Sequence, residues 1–291
     1  MNKRQAVRAG MFYPASANQC QAQARALLEG VALPGDILAN LRGGLLPHAG
    51  WVYSGALAAM TVRALTAPLG GQPGTVVIFG ADHTGQAQLG EVWDAGAWET
   101  PLGDVEIDEA LAGALLGGCD LLRSNPQAHL GEHSIEVQLP LLRLASPALR
   151  IIPIAVPPGE IAVEIGRAVG ATLAGLPSAR VLGSSDLTHH GGHFGCPGGR
   201  GEQSELFARQ NDQRILKLIE QLDAEAIVPE AQLHSNACGA GAIAATIAAV
   251  REMGATQSQI LAYTNSYEIS HQQYPDEQDD TTVGYASIVF G

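Results

Sequence analysis

"ARVLGSSDLTH", residues 179–189, runs through Val181 and Leu182 as an apolar segment and then turns polar at Ser184, Asp186 and His189. Such a run reads as a strand buried on both faces that ends in a polar turn. The same form recurs in "GGLLPHAG" (43–50), "TVVIFGADH" (75–83) and "LRIIPIAVP" (149–157). Ala- and Leu-rich helical stretches lie around them at 54–66, 132–145 and 160–174. Strands joined by helix-length crossovers pair in parallel. The expected fold class is therefore α/β, with a mixed, largely parallel central sheet and helices on both faces.

The rest of the chain extends this plan. "EVWDAGAWETPLGDVEID" (91–108) alternates and turns, as an antiparallel excursion would. Helices are expected near 203–221 and 238–253. Two closing strands, "QILAYTNSYEI" (259–269) and "TVGYASIVF" (282–290), read as antiparallel additions separated by the polar loop "QQYPDEQDD" (272–280). With no repeat and no long linker, the 291 residues are expected to form one domain, 1–291.

Composition narrows the function classes. A chain that is 46% hydrophobic and 15% charged can build a sizeable core and does not read as disordered. Its net charge of −13, with Lys and Arg spread thinly, argues against nucleic acid or an anionic membrane as a partner. The opening "MNKRQAVRAGMFYPAS" lacks the apolar core of a signal peptide, and no apolar run reaches membrane-spanning length, so a cytoplasmic location is expected. The four cysteines, Cys20, Cys119, Cys196 and Cys238, show no C-x-x-C pairing and do not read as a disulfide framework.

Three histidines share one structural address. His48, His83 and His189 each sit just past the carboxyl end of an expected buried strand, where open α/β sheets bind ligands. Residues far apart in sequence converge there. Cys238 falls in "SNACGAGAIAATIAAV" (235–250), which reads as a helix start capped by Ser235 or Asn236. In a first helical turn the dipole favours thiolate, the form that binds metal, although a small buried filler is an equal reading. In "GEHSIEVQLPLL" (131–142), the helix dipole alone explains Glu132. His133 reads either as a donor to a substrate oxyanion or as a satisfied surface or core histidine. Asp186 reads either as a partner that fixes an imidazole tautomer or as a turn residue. The loop "HHGGHFGCPGG" (189–199) adds His190, His193 and Cys196, but its glycines will not hold a helix, and a self-contained zinc site is disfavoured.

Taken in order, "VRAGMFYPAS" (7–16), "PHAGWVYSG" (47–55), "FGADH" (79–83), "EHSIEVQLP" (132–140), "SSDLTHHG" (184–191), "NACGAGAI" (236–243) and "VGYASIVF" (283–290) resemble the Memo family. The family is similar in fold to the catalytic subunit of class III extradiol dioxygenases, which use non-haem iron. The resemblance implies a metal pocket with His48, His83 and Cys238 as ligands and His189, beside Asp186, as acid/base. His133 would be a second proton donor. Cys238 stands where the dioxygenases carry a carboxylate. The residue after the motif histidine, often aromatic in the family, is His190 here. The loop with His193 and Cys196 matches no family motif and is expected near the pocket mouth.

The expected function is a non-haem, metal-dependent, dioxygenase-like oxidoreductase acting on an unidentified small substrate. Iron(II) is the first candidate metal, with copper or zinc next, because sulfur favours softer ions and does not carry catechol cleavage over. The alternatives are a non-catalytic module that binds a phosphopeptide or other anionic ligand in the histidine-lined pocket, and a copper- or iron-buffering protein. The resemblance also implies a radical-SAM protein as a partner.

Overall fold

The computed structural model describes residues 3–195, 200–274 and 281–291. Its main sheet runs, edge to edge, through His189–His190, Thr282–Phe290, Gly43–Leu46, Ala179–Ser184, Gly74–Gly80, Leu149–Ala155, Gly90–Val92 and Leu122–Ser124. Ser258–Asn265 also pairs with Thr282–Phe290. The four central strands, from Gly43–Leu46 to Leu149–Ala155, are parallel. Thr282–Phe290 is antiparallel to both Gly43–Leu46 and Ser258–Asn265. Residues 91–108 contribute the expected antiparallel pairings, Gly90–Val92 with Leu149–Ala155 and Ala97–Trp98 with Val105–Glu106. The mixed α/β architecture is thus the one read from the strand and helix order.

Alternation along the strands makes two cores. Val77, Phe79, Ile152, Ile154 and Val181 pack against the helices Ile161–Leu173, Glu202–Glu220, Ala224–His234 and Ala240–Glu252. Val76, Ile78, Ile151 and Leu182 point the other way, toward Ala17–Gly30, Trp51–Thr66 and Leu139–Ala145. Each of these fully buried side chains stabilises the fold by about 1.5–3 kcal/mol. Ile161–Leu173 lies so close to Ala240–Glu252 that a Cβ on Gly166 would stand 2.2 Å from the Ala245 carbonyl oxygen. Only glycine allows that approach.

Register brings the strand ends level. Leu46 pairs with Ser184, and Phe79 pairs with Gly183. His48, His83 and Asp186 follow within three residues of these ends, so the polar turns after three separate strands open at one edge.

Several local expectations are corrected. Residues 132–145 are not one helix: a turn precedes a 3-10 segment, Glu136–Gln138, and the α-helix spans Leu139–Ala145 with Pro140 in its first turn. Proline lacks an N–H, and that position demands none. The helix after Cys238 begins at Ala240, and Ser235 does not cap it but ends the previous helix in a left-handed conformation, φ 52°. The expected strand 259–269 stops at Asn265, whose side chain caps a helix over Ser266–Gln273. Helices Ala17–Gly30, Glu109–Gly118 and Ala224–His234 were not expected. The first buries only Cys20 and Ala24, the second carries three glycines, and the third contains Pro229. Among the described residues no helix is long and apolar enough to cross a membrane.

Candidate metal centre

One side-chain donor atom from each of His48, His83 and Cys238 lies within 4.8 Å of the other two. Three separate connections supply them: the loops after Gly43–Leu46 and Gly74–Gly80, and the turn before Ala240–Glu252. Gly239 lets that turn close onto the sheet, since a Cβ there would stand 2.6 Å from the Ser184 carbonyl oxygen. The Cys238 Sγ is 3.3 Å from His48 Nε2.

Hydrogen bonding fixes the orientation of both imidazoles. His48 is buried, and its Nδ1 is 2.9 Å from Ser184 Oγ. The Ser184 hydroxyl has one proton, and it is donated to the Ser134 carbonyl at 2.7 Å. Ser184 therefore accepts from His48 Nδ1–H, which leaves the Nε2 lone pair facing the sulfur. His83 Nδ1 is 3.0 Å from Glu132 Oε1, and a carboxylate there orients the ring in the same sense.

Glu132 is the site residue that sequence reasoning missed. It is fully buried, and besides the His83 ring it accepts from the backbone N–H groups of His83, His133 and Ser134. These donors hold its carboxyl well below the usual range despite burial, which works the other way. Helix-dipole reasoning does not apply, because no helix starts there. The available signal was an acid placed beside a histidine in a segment whose apolar stripe puts it under the strand ends. Glu132 also belongs to a second close group, with His83 and His133. Its Oε1 already faces three donors, so it serves better as an orienting group than as a ligand.

Electrostatics follow from this packing. Burial lowers the His83 pKa, but the adjacent Cys238 sulfur and Glu132 carboxylate outweigh it and raise the group to about 10. Burial and the neighbouring His83 push His48 well below its ordinary value and His133 down to about 4. Burial raises the Cys238 thiol, with His83 pulling it back, and Cys238 lies before rather than within the first turn of the helix that begins at Ala240. His133 stacks on His83 with ring centroids 4.8 Å apart and meets His48 edge-on at 5.4 Å.

His189 lines the same cavity, and its Nδ1 is 3.0 Å from the Leu187 carbonyl, which makes it an N–H donor there. The tautomer of His189 is thus set by Leu187. Asp186 is buried, accepts from the His48 backbone N–H at 2.7 Å, and is raised by burial to about 7. Both sequence readings of Asp186 give way to a third: it pins the loop that carries His48. The cavity, of about 480 Å³, is walled by Phe12, Phe194, Val283 and Tyr285 and opens at His83, whose side chain is 32% exposed. His190 is not at the mouth; it is buried against Phe207 with ring centroids 4.3 Å apart. His193 is exposed beside Phe194. Cys196 lies outside the described residues.

Behind the site, Glu136 is fully buried and accepts from Arg4 at 2.7 Å, from the Tyr13 hydroxyl at 2.8 Å and from the N–H groups of Val7 and Arg8. Arg4 also donates to the His129 and Glu132 carbonyls. The N-terminal segment, and with it the Phe12 wall, is thereby fastened to the turn that carries Glu132 and His133.

Comparison with known proteins gives the family and the fold. A family model described as Memo-like protein matches residues 4–289. A MEMO1 family protein of Methanopyrus kandleri is 34% identical over 97% of this chain and 96% of its own. Another, from Pyrococcus furiosus, is 32% identical over 98% of each chain. Among solved structures, an uncharacterized protein of Escherichia coli K12 is similar with a TM-score of 0.51, covering 86% of this chain and 100% of its own at 12% identity, a likeness of fold alone.

Proposed function

The chain belongs to the Memo family, and on that premise we propose that its pocket binds one metal ion through His48, His83 and Cys238 and oxidises a small substrate beside it. The observation that carries this reading is the donor set. Two imidazoles have their Nδ1 atoms engaged by Ser184 and Glu132, the Nε2 of His48 faces the Cys238 sulfur at 3.3 Å, and one ring nitrogen of each histidine lies with that sulfur inside 4.8 Å. The set fits a non-haem metal, with iron(II) first and copper next. Such an ion would supply open coordination positions and redox chemistry.

The surrounding residues have roles that follow from their contacts. His189 donates through Nδ1 to Leu187, and burial lowers its pKa, so its Nε2 is a neutral base able to take a substrate proton. His133, held neutral by burial and by His83, can present an N–H to an oxyanion on the substrate. Asp186 keeps His48 in place through its backbone. Phe12, Phe194, Val283 and Tyr285 limit water at the reacting position.

The test is metal content after anaerobic purification, followed by oxygen uptake with candidate small substrates. The wild type should hold close to one equivalent of metal. A His48→Ala, His83→Ala, Cys238→Ser variant should hold none, and unchanged metal in that variant overturns the assignment.

A further inference from the structure

Arg8 packs on Phe12, a wall of this pocket, without an acidic partner among the described residues. Its guanidinium carbon lies 5.4 Å from the centre of the Phe12 ring, and Phe12 in turn meets His133 edge-on at 5.1 Å. Both Phe12 and His133 line the cavity. The Arg8 Nε is buried with no hydrogen-bond partner, and among the described residues no carboxylate pairs with its guanidinium. Glu136 accepts from the Arg8 backbone N–H, and its charge is already matched by Arg4. In a chain of net charge −13, a cation left in excess one ring away from the candidate metal centre is a recognition element in search of an anion. Arginine suits the task because its fork of N–H donors meets a carboxylate with two parallel bonds. The cavity walls beyond it, Phe12, Phe194 and Tyr285, are aromatic and accept a flat apolar body.

We propose that Arg8 recognises the anionic head of the substrate, and that this pocket takes a small organic anion with a flat apolar body. The proposal rests on the pocket being the substrate site of the reading above, and the test separates the two. Benzoate and its neutral counterpart benzamide are titrated into metal-free and metal-loaded full-length protein, followed by NMR of the histidine ring protons. Benzoate should bind at least about tenfold more tightly than benzamide in both forms, as a charge-assisted pair requires. Arg8→Gln should erase that preference with metal content unchanged, and Arg8→Lys should keep part of it. Equal binding of the two probes by the wild type, no binding of either, or a preference that survives in Arg8→Gln overturns the proposal. A preference confined to metal-loaded protein also overturns it, since the anion would then be contacting the metal. Loss of metal in the triple ligand variant bears on the metal assignment alone.

Discussion

Ser184 accepts a hydrogen bond from His48 Nδ1 at 2.9 Å because its own proton is committed to the Ser134 carbonyl at 2.7 Å. This one hydroxyl sets which nitrogen of His48 faces Cys238. In Ser184→Ala, Nδ1 loses its partner in a buried site, and the Ser134 carbonyl keeps only the long 3.5 Å bond from the Gln138 amide. A cost of about 1–3 kcal/mol is expected in denaturant unfolding of the metal-free protein. Metal affinity should fall about 10- to 100-fold, as measured by competition with a chelator. An unchanged affinity would show that His48 is oriented by something else.

Glu132 has the same office for His83. Glu132→Gln keeps the shape but removes the charge that helps hold His83 at about 10. NMR titration of the metal-free variant should give a lower His83 pKa, and metal affinity should fall by about 10- to 100-fold. If His83 titrates as in the wild type, Cys238 alone is responsible for its shift.

Metal binding should depend on pH with a definite sign. In the metal-free protein the Glu132 carboxylate raises His83 and burial raises the Cys238 thiol, so both ligands hold protons through the neutral range. A bound ion must displace those protons. Apparent affinity therefore rises with pH through the neutral range, by about tenfold per pH unit for each proton released, and levels off only once both ligands have lost their protons. Calorimetry in buffers of differing ionisation enthalpy counts the protons; finding none released would contradict the ligand assignment.

The buried Arg4–Glu136 pair ties the N-terminal segment to the site. Arg4→Met leaves the Glu136 carboxylate without its cation and should cost about 3–5 kcal/mol in denaturant unfolding. The double variant Arg4→Met, Glu136→Gln should recover much of that loss. If the single variant costs nothing measurable, the remaining donors to Glu136, from Val7, Arg8 and Tyr13, suffice to hold it.

What the sequence made legible, and what it hid, has physical reasons. Unbroken apolar runs such as Val76–Phe79 announce strands covered on both sides, and the polar turns after them announce where a ligand crevice lies. That logic placed His48, His83 and His189 at one edge. Residues that act through backbone groups are silent in a sequence: Asp186 holds the His48 N–H, and Glu132 gathers three N–H groups as well as a ring. Pro140 marked the true start of its helix, but the apolar stripe around it masked the signal. The position of Cys238 before its helix depends on a close backbone approach at Gly239, which only tertiary packing shows. The mixed sheet was readable from element order, whereas the weakly amphipathic Ala17–Gly30 helix was not.

The central claim is that one cation sits among two imidazole nitrogens and a sulfur drawn from three separate loops. Anomalous diffraction at the iron and copper absorption edges, from crystals of anaerobically purified protein, examines it most directly. A single strong peak within bonding distance of His48 Nε2, His83 Nε2 and Cys238 Sγ is the expected result. A metal peak elsewhere in the molecule, with that position bare in fully loaded protein, would contradict it.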